Sequence, residues 1–456
     1  MNIDLDNIKE LHFIGIGGIG MSSMAFVLLE RGYKITGSDQ KITPICERLI
    51  EKGAIINAPQ NKNNINNPDL IVYTDAIGEN NEEYIAAKES NIPMVDRATF
   101  LGLLMKKYQN SIAITGTHGK TTTTSMLATI YKHSALKPTI LIGGNLDEIG
   151  GNALVGEHDI FIAESCEYKG NILKYFPTTA VVLNIDEDHL DYYKSIYHIE
   201  ETFMKFVSNL KEDSTLIINN DENNLMQIKE SAPGKVLTFS IYRESDFRAT
   251  DIKYDSEGYV SYNLLFQDKL YPVSLNVMGL HNVLNSLAAI ATAYNTGLTI
   301  EEIIKNIGYY HPVHQRLELL GKKNGVTVMD DYAHHPTEIM ASLNAVKNMP
   351  NKRIYCVFQP HTYTRTKILL NGFADAFRLA DKVVVIDIYA AREKDNHEVH
   401  SRDLVEAMVD RGVDCHYFPG FDEALVFLKE ELRPDDLFIT MGAGDVNKLA
   451  HMYLED

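Results

Sequence analysis

Short apolar runs alternate with longer amphipathic stretches along almost the whole chain. Such runs occupy residues 11–16, 33–37 and 70–73, and a stretch with helical periodicity follows the first of them at residues 21–31. This alternation is typical of βαβ units with parallel sheets. The pattern therefore predicts an α/β fold whose first unit covers roughly the first 105 residues.

The same alternation continues in two further units. The second has predicted strands at residues 111–115, 160–163 and 180–183. Shorter strands separated by turns then predict an antiparallel flank at residues 236–239, 258–266 and 270–277, with a helix at residues 282–294. The third unit begins near residues 316–320, and its strands are predicted at residues 326–329, 353–358, 382–388, 413–418 and 437–441.

Composition narrows the possible functions and the compartment. The 456 residues suggest about three domains at roughly 150 residues each. The 62 acidic and 43 basic side chains give a net charge of −19, which argues against a general nucleic-acid binder. The four cysteines form no C-x-x-C pair, so neither a zinc site nor a disulfide framework is expected. We expect a cytoplasmic protein without membrane insertion, since no signal-like segment or apolar run of 18 residues is present.

The first glycine turn, at residues 15–20, lies between a predicted strand and a predicted helix and fits G-x-G-x-x-G. Its glycines are Gly15, Gly17, Gly18 and Gly20. Glycine lets the backbone turn tightly and approach a diphosphate at the N-terminus of the helix. Asp39, 19 residues beyond Gly20, could accept a ribose hydroxyl. The turn predicts a site for a nucleotide diphosphate but does not distinguish among NAD, FAD and a UDP-sugar. The alternative is a purely structural turn whose glycines only allow the helix to pack closely.

The second glycine turn, at residues 115–122, follows a strand and carries Gly-Lys-Thr, as the end of a P-loop does. In a P-loop the backbone amides bind phosphates, a lysine such as Lys120 reaches the outer phosphates, and a hydroxyl such as Thr121 can ligate Mg²⁺. The strict pattern G-x-x-x-x-G-K-S/T would place glycine at position 114, where Ile114 stands. The turn therefore predicts a shortened P-loop.

Acidic residues follow the next two strands of this unit. Glu164 ends one strand, at the position where P-loop enzymes hold their metal, and Glu167 lies three residues on. His189, after the following strand, is either a metal ligand or a loop histidine bonded to a neighbour. Glu187 and Asp188 are predicted to be solvated loop acids.

Together these residues resemble the Mur ligases, the ATP-dependent amino-acid ligases of peptidoglycan precursor synthesis, along essentially the whole chain. Residues 115–122, 184–191 and 281–285 resemble the family's shortened P-loop, its second metal-associated segment and its adenine-side segment. Residues 15–21, 330–336 and 358–366 resemble the member that adds L-alanine to UDP-N-acetylmuramate.

The resemblance implies three domains with one substrate each. Residues 1–107 would form a Rossmann-like domain for the UDP-sugar, and residues 108–315 a P-loop ATPase-like domain whose parallel sheet has an antiparallel flank. Residues 316–456 would form a second Rossmann-like domain for the amino acid. The implied reaction uses ATP and Mg²⁺: the lactyl carboxylate becomes an acyl phosphate, and the alanine amine then displaces phosphate.

The resemblance also assigns residues to roles. The catalytic residues would be Lys120, Glu164, His189 and Arg316, and the metal ligands Thr121, Glu164 and His189. ATP would contact Gly116, Thr117, His118, Gly119, Lys120, Thr121, Thr122, Asn282, Asn285, Arg316 and either Asp330 or Asp331, of which we assign Asp331. The UDP-sugar would contact Gly15, Gly17, Gly18, Gly20, Met21, Ser22 and Asp39. Alanine would contact Tyr332, His334, His361 and Arg365.

At three places the chain departs from the family pattern. Ser165, Cys166, Glu167 and Tyr168 replace the usual run after the strand-terminal glutamate, so the roles of residues 166–168 stay undecided. Thr362 stands where many relatives have arginine, which leaves Arg365 as the carboxylate contact. Lys205 is offset by one residue from the family's carbamylated lysine and is not assigned.

Other functions remain open at this stage. A recycling ligase would add a tripeptide to the same UDP-sugar, although a compact pocket at His361 and Arg365 favours a single amino acid. An NAD-dependent oxidoreductase would use the first glycine turn alone, and a binding module could hydrolyse ATP as a switch. The expected partners are UDP-N-acetylmuramate and L-alanine, without nucleic acid, in a bacterial monomer or homodimer.

Overall fold

The computed structural model describes residues 3–190, 192–350, 352–391 and 393–455. The chain divides into two compact units. The first comprises Met1–Ile185, Tyr197–Asp246 and Ala288–Ile307, and the second comprises Asp186–Ile196, Phe247–Leu287 and Gly308–Asp456.

The N-terminal sheet belongs to the first unit and has parallel strands. In chain order they are β1 (Glu10–Ile14), β2 (Lys34–Ser38), β3 (Ile55–Asn57), β4 (Leu70–Tyr73) and β5 (Met94–Asp96). The helices are α1 (Ile19–Glu30), α2 (Pro44–Glu51), α3 (Glu82–Glu89) and α4 (Arg97–Met105). The spatial order β3-β2-β1-β4-β5 reverses direction at β1, where open α/β sheets bind ligands beyond the carboxyl ends of their strands. The first glycine turn follows β1 at this position.

The first unit also holds strands of the central sheet. They are β6 (Asn110–Thr115), β7 (Thr139–Leu146), β8 (Gly151–Leu154), β9 (Ile160–Glu164), β10 (Thr179–Val182), β11 (Thr215–Asn219) and β12 (Lys235–Ser240). The accompanying helices are α5 (Lys120–Lys132), α6 (Ile196–Ser208) and α7 (Met226–Glu230). Strand β6 pairs in parallel with β9 and β10, so the loops that follow these three strands leave the sheet at one edge.

The second unit contains an antiparallel strand set and the C-terminal sheet. The antiparallel strands are β13 (Phe247–Tyr254), β14 (Tyr259–Phe266) and β15 (Lys269–Met278). Helix α8 (Leu280–Asn295) follows and belongs to this unit up to Leu287, whereas α9 (Ile300–Ile307) belongs to the first unit. The C-terminal strands are β16 (Glu318–Lys323), β17 (Val326–Asp331), β18 (Ile354–Phe358), β19 (Lys382–Val385), β20 (Cys415–Tyr417) and β21 (Leu437–Met441). The helices are α10 (Pro336–Val346), α11 (Tyr363–Ile368), α12 (Leu370–Ala376), α13 (Ser401–Val409), α14 (Phe421–Glu431) and α15 (Asn447–Glu455).

The C-terminal sheet has apolar cores on both faces. Its strands are ordered β16-β17-β21-β18-β19-β20, and their pairings are parallel except for that of β16 with β17. Phe358 and Ile439 belong to one buried cluster, and Val357 and Phe438 belong to the other. Successive residues of a strand point to opposite faces, so these central strands carry apolar residues on both faces, although β21 also holds the buried Thr440.

The α/β class, the parallel sheets and an antiparallel flank at residues 258–266 and 270–277 are confirmed. The prediction that residues 236–239 belong to this flank is wrong in one respect, because β12 pairs in parallel with β11. Two predicted strands are shorter than expected: the run at residues 382–388 is a strand only to Val385, and that at 413–418 only over Cys415–Tyr417. Among the described residues, no helix combines the length and the apolar character needed to cross a membrane. The four cysteines are free thiols.

Candidate active site

The second glycine turn connects β6 to α5 in a shape that suits phosphate. Gly116 and Gly119 have φ angles of 136° and 85°, in the region that favours glycine. Gly119 caps α5 without any side-chain hydrogen bond to the first turn of the helix. The first amides of a helix and the positive end of its dipole attract anions. The turn can therefore hold phosphate groups.

Asn184, the second residue after β10, holds this turn in place. Its Oδ1 accepts a hydrogen bond from the His118 amide at 2.8 Å, and its Nδ2 donates to the His118 carbonyl at 3.0 Å. Its own carbonyl accepts from the Thr117 amide at 3.2 Å. The sequence showed Asn184 only as the start of a segment. The one sequence signal for this role was the position of the amide side chain, just beyond a strand that pairs with β6.

Lys120, the first residue of α5, is kept charged inside the protein. Its Nζ contacts the Gly116 carbonyl, the Thr117 carbonyl at 3.0 Å and Glu167 Oε2 at 3.2 Å. Burial alone would lower the pKa of Lys120, but Glu167, Cys166 and Glu164 outweigh it, and the net pKa is raised. Glu167, which the sequence left undecided, is 2% exposed and pairs with this lysine.

Thr121 and Glu164 form a pair of oxygen donors beside Lys120. Thr121 Oγ1 donates to Glu164 Oε2 at 3.0 Å, and the Gly143 amide of β7 donates to Glu164 Oε1. A Cβ atom at Gly143 would lie 2.4 Å from Glu164 Oε2, so the carboxylate reaches this position only because residue 143 is glycine. Carboxylate and hydroxyl oxygens suit Mg²⁺.

The first glycine turn contacts Asp39 directly. Gly15 has a φ of 83°, and the Gly17 amide donates to Asp39 Oδ2 at 2.8 Å. A Cβ atom at Gly17 would lie 2.9 Å from that oxygen, so close approach requires glycine here. Gly18 caps α1 without a side-chain hydrogen bond. Gly20 lies beside the Arg97 side chain.

The other two residues predicted to contact the UDP-sugar have buried side chains. Met21 and Ser22 are each 1% exposed. Asn152 of β8 donates to Ser22 Oγ at 2.9 Å and to the Ile19 carbonyl at 2.8 Å. Asn152 thus holds the first turn of α1, a role that its sequence context did not indicate.

In the second unit, the two predicted adenine contacts are joined on one face of α8. Asn285 Nδ2 donates to Asn282 Oδ1 at 3.0 Å, and Asn282 Nδ2 donates to the Met278 carbonyl at 2.8 Å. Both residues are buried. Burial and the nearby Arg316 lower the pKa of the preceding His281 to about 4.

Arg316 and Asp331 lie beside the start of the predicted alanine segment. The Arg316 guanidinium lies 5.1 Å from the centre of the Tyr332 ring, a cation–π contact. Asp331 ends β17 and accepts from Ser342 Oγ at 2.7 Å and from the Ala333 amide at 2.9 Å. Burial raises the pKa of Asp331 to about 6. The neighbouring carboxylate of Asp330 accepts a hydrogen bond from Thr440 Oγ1.

A cavity that is open to solvent lies beside the N-terminus of α11. Its lining residues include Glu187, Asp188, His189, Thr362, Arg365 and Glu393. Arg365 donates to Asp188 Oδ1 at 3.1 Å and to His361 Nδ1 at 3.2 Å. The His334 ring lies 5.3 Å from Tyr332 and 5.9 Å from His361. The structure therefore brings the four predicted alanine contacts together.

The loop after β10 corrects one prediction. Asp188 is not a solvated loop acid, because its side chain is 12% exposed and ion-paired with Arg365, whereas Glu187 is exposed as expected. His189 has a φ of 56°, and its amide donates to Asp188 Oδ1 at 2.7 Å. His189 belongs to the second unit, and its metal role stays a prediction. Asp191, the last residue of the predicted segment, lies outside the described residues.

Comparisons with known proteins agree along the chain. Three family profiles match in succession: the Mur ligase family catalytic domain at residues 10–109, the Mur ligase middle domain at residues 114–293, and the Mur ligase glutamate ligase domain at residues 315–444. The UDP-N-acetylmuramate–L-alanine ligase of Caldanaerobacter subterraneus is 46% identical, with 100% of this chain and 99% of the relative aligned. The ligase of that name from Clostridium acetobutylicum is 47% identical over 100% of both chains.

Solved structures of two ligases share the fold of this chain. The UDP-N-acetylmuramate–alanine ligase of Thermotoga maritima superposes with a TM-score of 0.81 at 27% identity, over 98% of both chains. The murein peptide ligase of Psychrobacter arcticus shares the fold, with a TM-score of 0.74 at 24% identity over 98% of both chains. Because the family profiles span most of the sequence and full-length relatives exceed 45% identity, the chain belongs to the Mur ligase family.

Proposed function

We propose that the protein joins L-alanine to the lactyl carboxylate of UDP-N-acetylmuramate, with ATP converted to ADP and phosphate, in peptidoglycan precursor synthesis. The observation that carries this proposal is the full-length identity of 46–47% to ligases that bear this reaction in their names. The murein peptide ligase, by contrast, is 24% identical. An oxidoreductase would leave the buried ion pair of Lys120 and Glu167 without a role.

The ATP site is proposed at the second glycine turn and on the second unit. The phosphates would contact Gly116, Thr117, His118, Gly119, Lys120, Thr121 and Thr122, and the remaining contacts would be Asn282, Asn285, Arg316 and Asp331. Thr121 and Glu164 would hold Mg²⁺, with His189 as a further metal ligand. Bound Mg²⁺ supplies positive charge that offsets the charge on the transferring phosphoryl group. The close oxygens of Thr121 and Glu164 support this assignment.

The reaction would proceed in two steps. A carboxylate oxygen of the sugar attacks the γ-phosphorus, ADP leaves, and an acyl phosphate forms. The amine of alanine then attacks the acyl carbon, the carbon–oxygen bond to phosphate breaks, and the amine loses a proton. A free carboxylate is a poor acyl donor, so the protein's task is to orient the reactants and to offset phosphate charge. Lys120 is suited to that task because Glu167 keeps it charged.

The remaining assignments divide the chain at residues 107 and 315. Residues 1–107 would bind the UDP-sugar through Gly15, Gly17, Gly18, Gly20, Met21, Ser22 and Asp39. Residues 108–315 would bind ATP, and residues 316–456 would bind alanine through Tyr332, His334, His361 and Arg365. We place the protein in the bacterial cytoplasm as a monomer or homodimer.

Lys120→Ala tests the proposed separation of the ATP and sugar sites. We expect ligation to fall by at least roughly 100-fold, because a charge that acts on the transferring phosphoryl group is lost. Binding of UDP-N-acetylmuramate, measured by calorimetry, should be unchanged. Lys132→Ala, on the exposed end of the same helix, is the control. Loss of sugar binding in folded Lys120→Ala protein would contradict the separation.

A further inference from the structure

The cavity at α11 contains an ion pair that an incoming amino acid must open. Asp188 and Arg365 are 12% and 15% exposed, and their atoms are 3.1 Å apart. Removing one partner of such a pair leaves a charge without compensation inside the protein. A ligand that binds Arg365 through a carboxylate therefore has to provide a new partner for Asp188.

Hydrogen bonding divides the pair that lines the cavity, Asp188 and Arg365, and the neighbouring rings of His361 and His334 into donors and acceptors. A guanidinium only donates, so His361 Nδ1 accepts from Arg365 and the proton of a neutral His361 ring is on Nε2. Burial and the nearby His334 and Arg365 lower the pKa of His361 to about 4, which keeps the ring neutral. Arg365 and His361 Nε2 are therefore donors, as a carboxylate requires.

The His334 ring carries its proton on the other nitrogen, compared with His361. Its Nδ1 lies 2.9 Å from the Tyr332 carbonyl, which only accepts, so the proton is on Nδ1. Burial lowers the pKa of His334, and the neutral ring has a lone pair on Nε2. The Asp188 carboxylate and His334 Nε2 are therefore acceptors, as an ammonium group requires.

We infer that Asp188 and His334 bind the ammonium group of the amino acid, while Arg365 and His361 bind its carboxylate. This inference rests on the proposed function and assigns His334, predicted above only as an alanine contact, to the ammonium group. When the amino acid binds, two ion pairs replace the one between Asp188 and Arg365. Arg365 then pairs with the carboxylate of the amino acid, and Asp188 pairs with its ammonium group. A ligand with a carboxylate alone leaves Asp188 without a partner, and a ligand with an amine alone leaves Arg365 without one. The cavity thereby selects α-amino acids over simple acids and amines.

Asp188→Asn separates this role from a structural one. We expect the KM for L-alanine to rise roughly 10- to 100-fold, because a hydrogen bond to a charged group is lost. Propionate, which is alanine without its amine, should inhibit the variant more strongly than the wild type, because Arg365 no longer has a competing carboxylate. Asp435→Asn, which breaks an exposed ion pair with Lys352, is the control and should change neither constant. Weaker binding of both ligands, or an unchanged KM for alanine, would overturn the inference.

A second measurement uses the unmodified protein and does not depend on folding of the variant. Ammonium ion and propionate are the two charged parts of alanine, so ammonium chloride should strengthen inhibition by propionate relative to potassium chloride at equal ionic strength. Equal inhibition in the two salts would contradict the inference. Absence of alanine-dependent turnover in the wild type would instead refute the proposed function.

Discussion

At the scale of single residues, the site depends on charges that are held inside the protein. Lys120 and Glu167 are 17% and 3% exposed in their side chains and lie 3.2 Å apart. A buried ammonium group tends to lose its proton unless an opposite charge lies near, and Glu167 provides that charge. The pKa of Lys120 is accordingly raised although the group is buried.

Glu167→Gln tests this pairing through pH. Without the carboxylate, burial lowers the pKa of Lys120, so its charged form is lost at a lower pH than in the wild type. We expect kcat/KM on the alkaline side to fall earlier, by about tenfold for each pH unit above the new pKa. Glu148→Gln, which removes a carboxylate bonded to Thr129 and His133 near α5, should keep the wild-type profile. Coincident profiles for Glu167→Gln and the wild type would refute the role of Glu167.

Residues whose partners are distant in sequence could not be predicted. Lys120, Thr121 and Glu164 were recognised because a glycine turn and a strand end mark them locally. Asp188 was misread as a solvated acid because its partner, Arg365, lies 177 positions further along the chain. Such a pair becomes visible only when folding places both residues in one cavity.

At the scale of elements, neighbouring strands position the candidate metal ligands. Strand β9 presents Glu164, and the adjacent β7 supplies the Gly143 amide that bonds to it. The strands at residues 70–73 and 437–441 were predicted with their observed bounds because each is a short, predominantly apolar run. Strands β7 and β8 were missed, since glycines and acidic residues interrupt residues 139–154 and hide the strand pattern.

Gly143→Ala should displace Glu164 without unfolding the protein. The added Cβ would lie 2.4 Å from Glu164 Oε2, so the carboxylate must move away from Thr121. We expect the Mg²⁺ concentration for half-maximal activity to rise roughly tenfold, as when an outer-shell partner of a ligand is lost. Gly420→Ala, where the Cβ meets only the end of the Glu423 side chain, is the matched control. An unchanged Mg²⁺ requirement would count against Glu164 as a ligand.

At the scale of the whole molecule, a chain of net charge −19 is proposed to bind three anionic or zwitterionic substrates. We propose that it would do so with local groups: the glycine turns at the starts of α1 and α5, Lys120 and Arg365. The alternation of apolar runs was enough to predict the α/β class and its sheets. The assignment of one substrate to each of three parts came from motifs and stays a proposal.

The central claim is tested most directly by ADP release with UDP-N-acetylmuramate and single amino acids. With ATP and Mg²⁺ present, we predict sustained turnover with L-alanine and the appearance of the alanyl product by mass spectrometry. Omission of either the UDP-sugar or L-alanine should abolish turnover. Turnover without alanine, or turnover only with the tripeptide, would contradict the account.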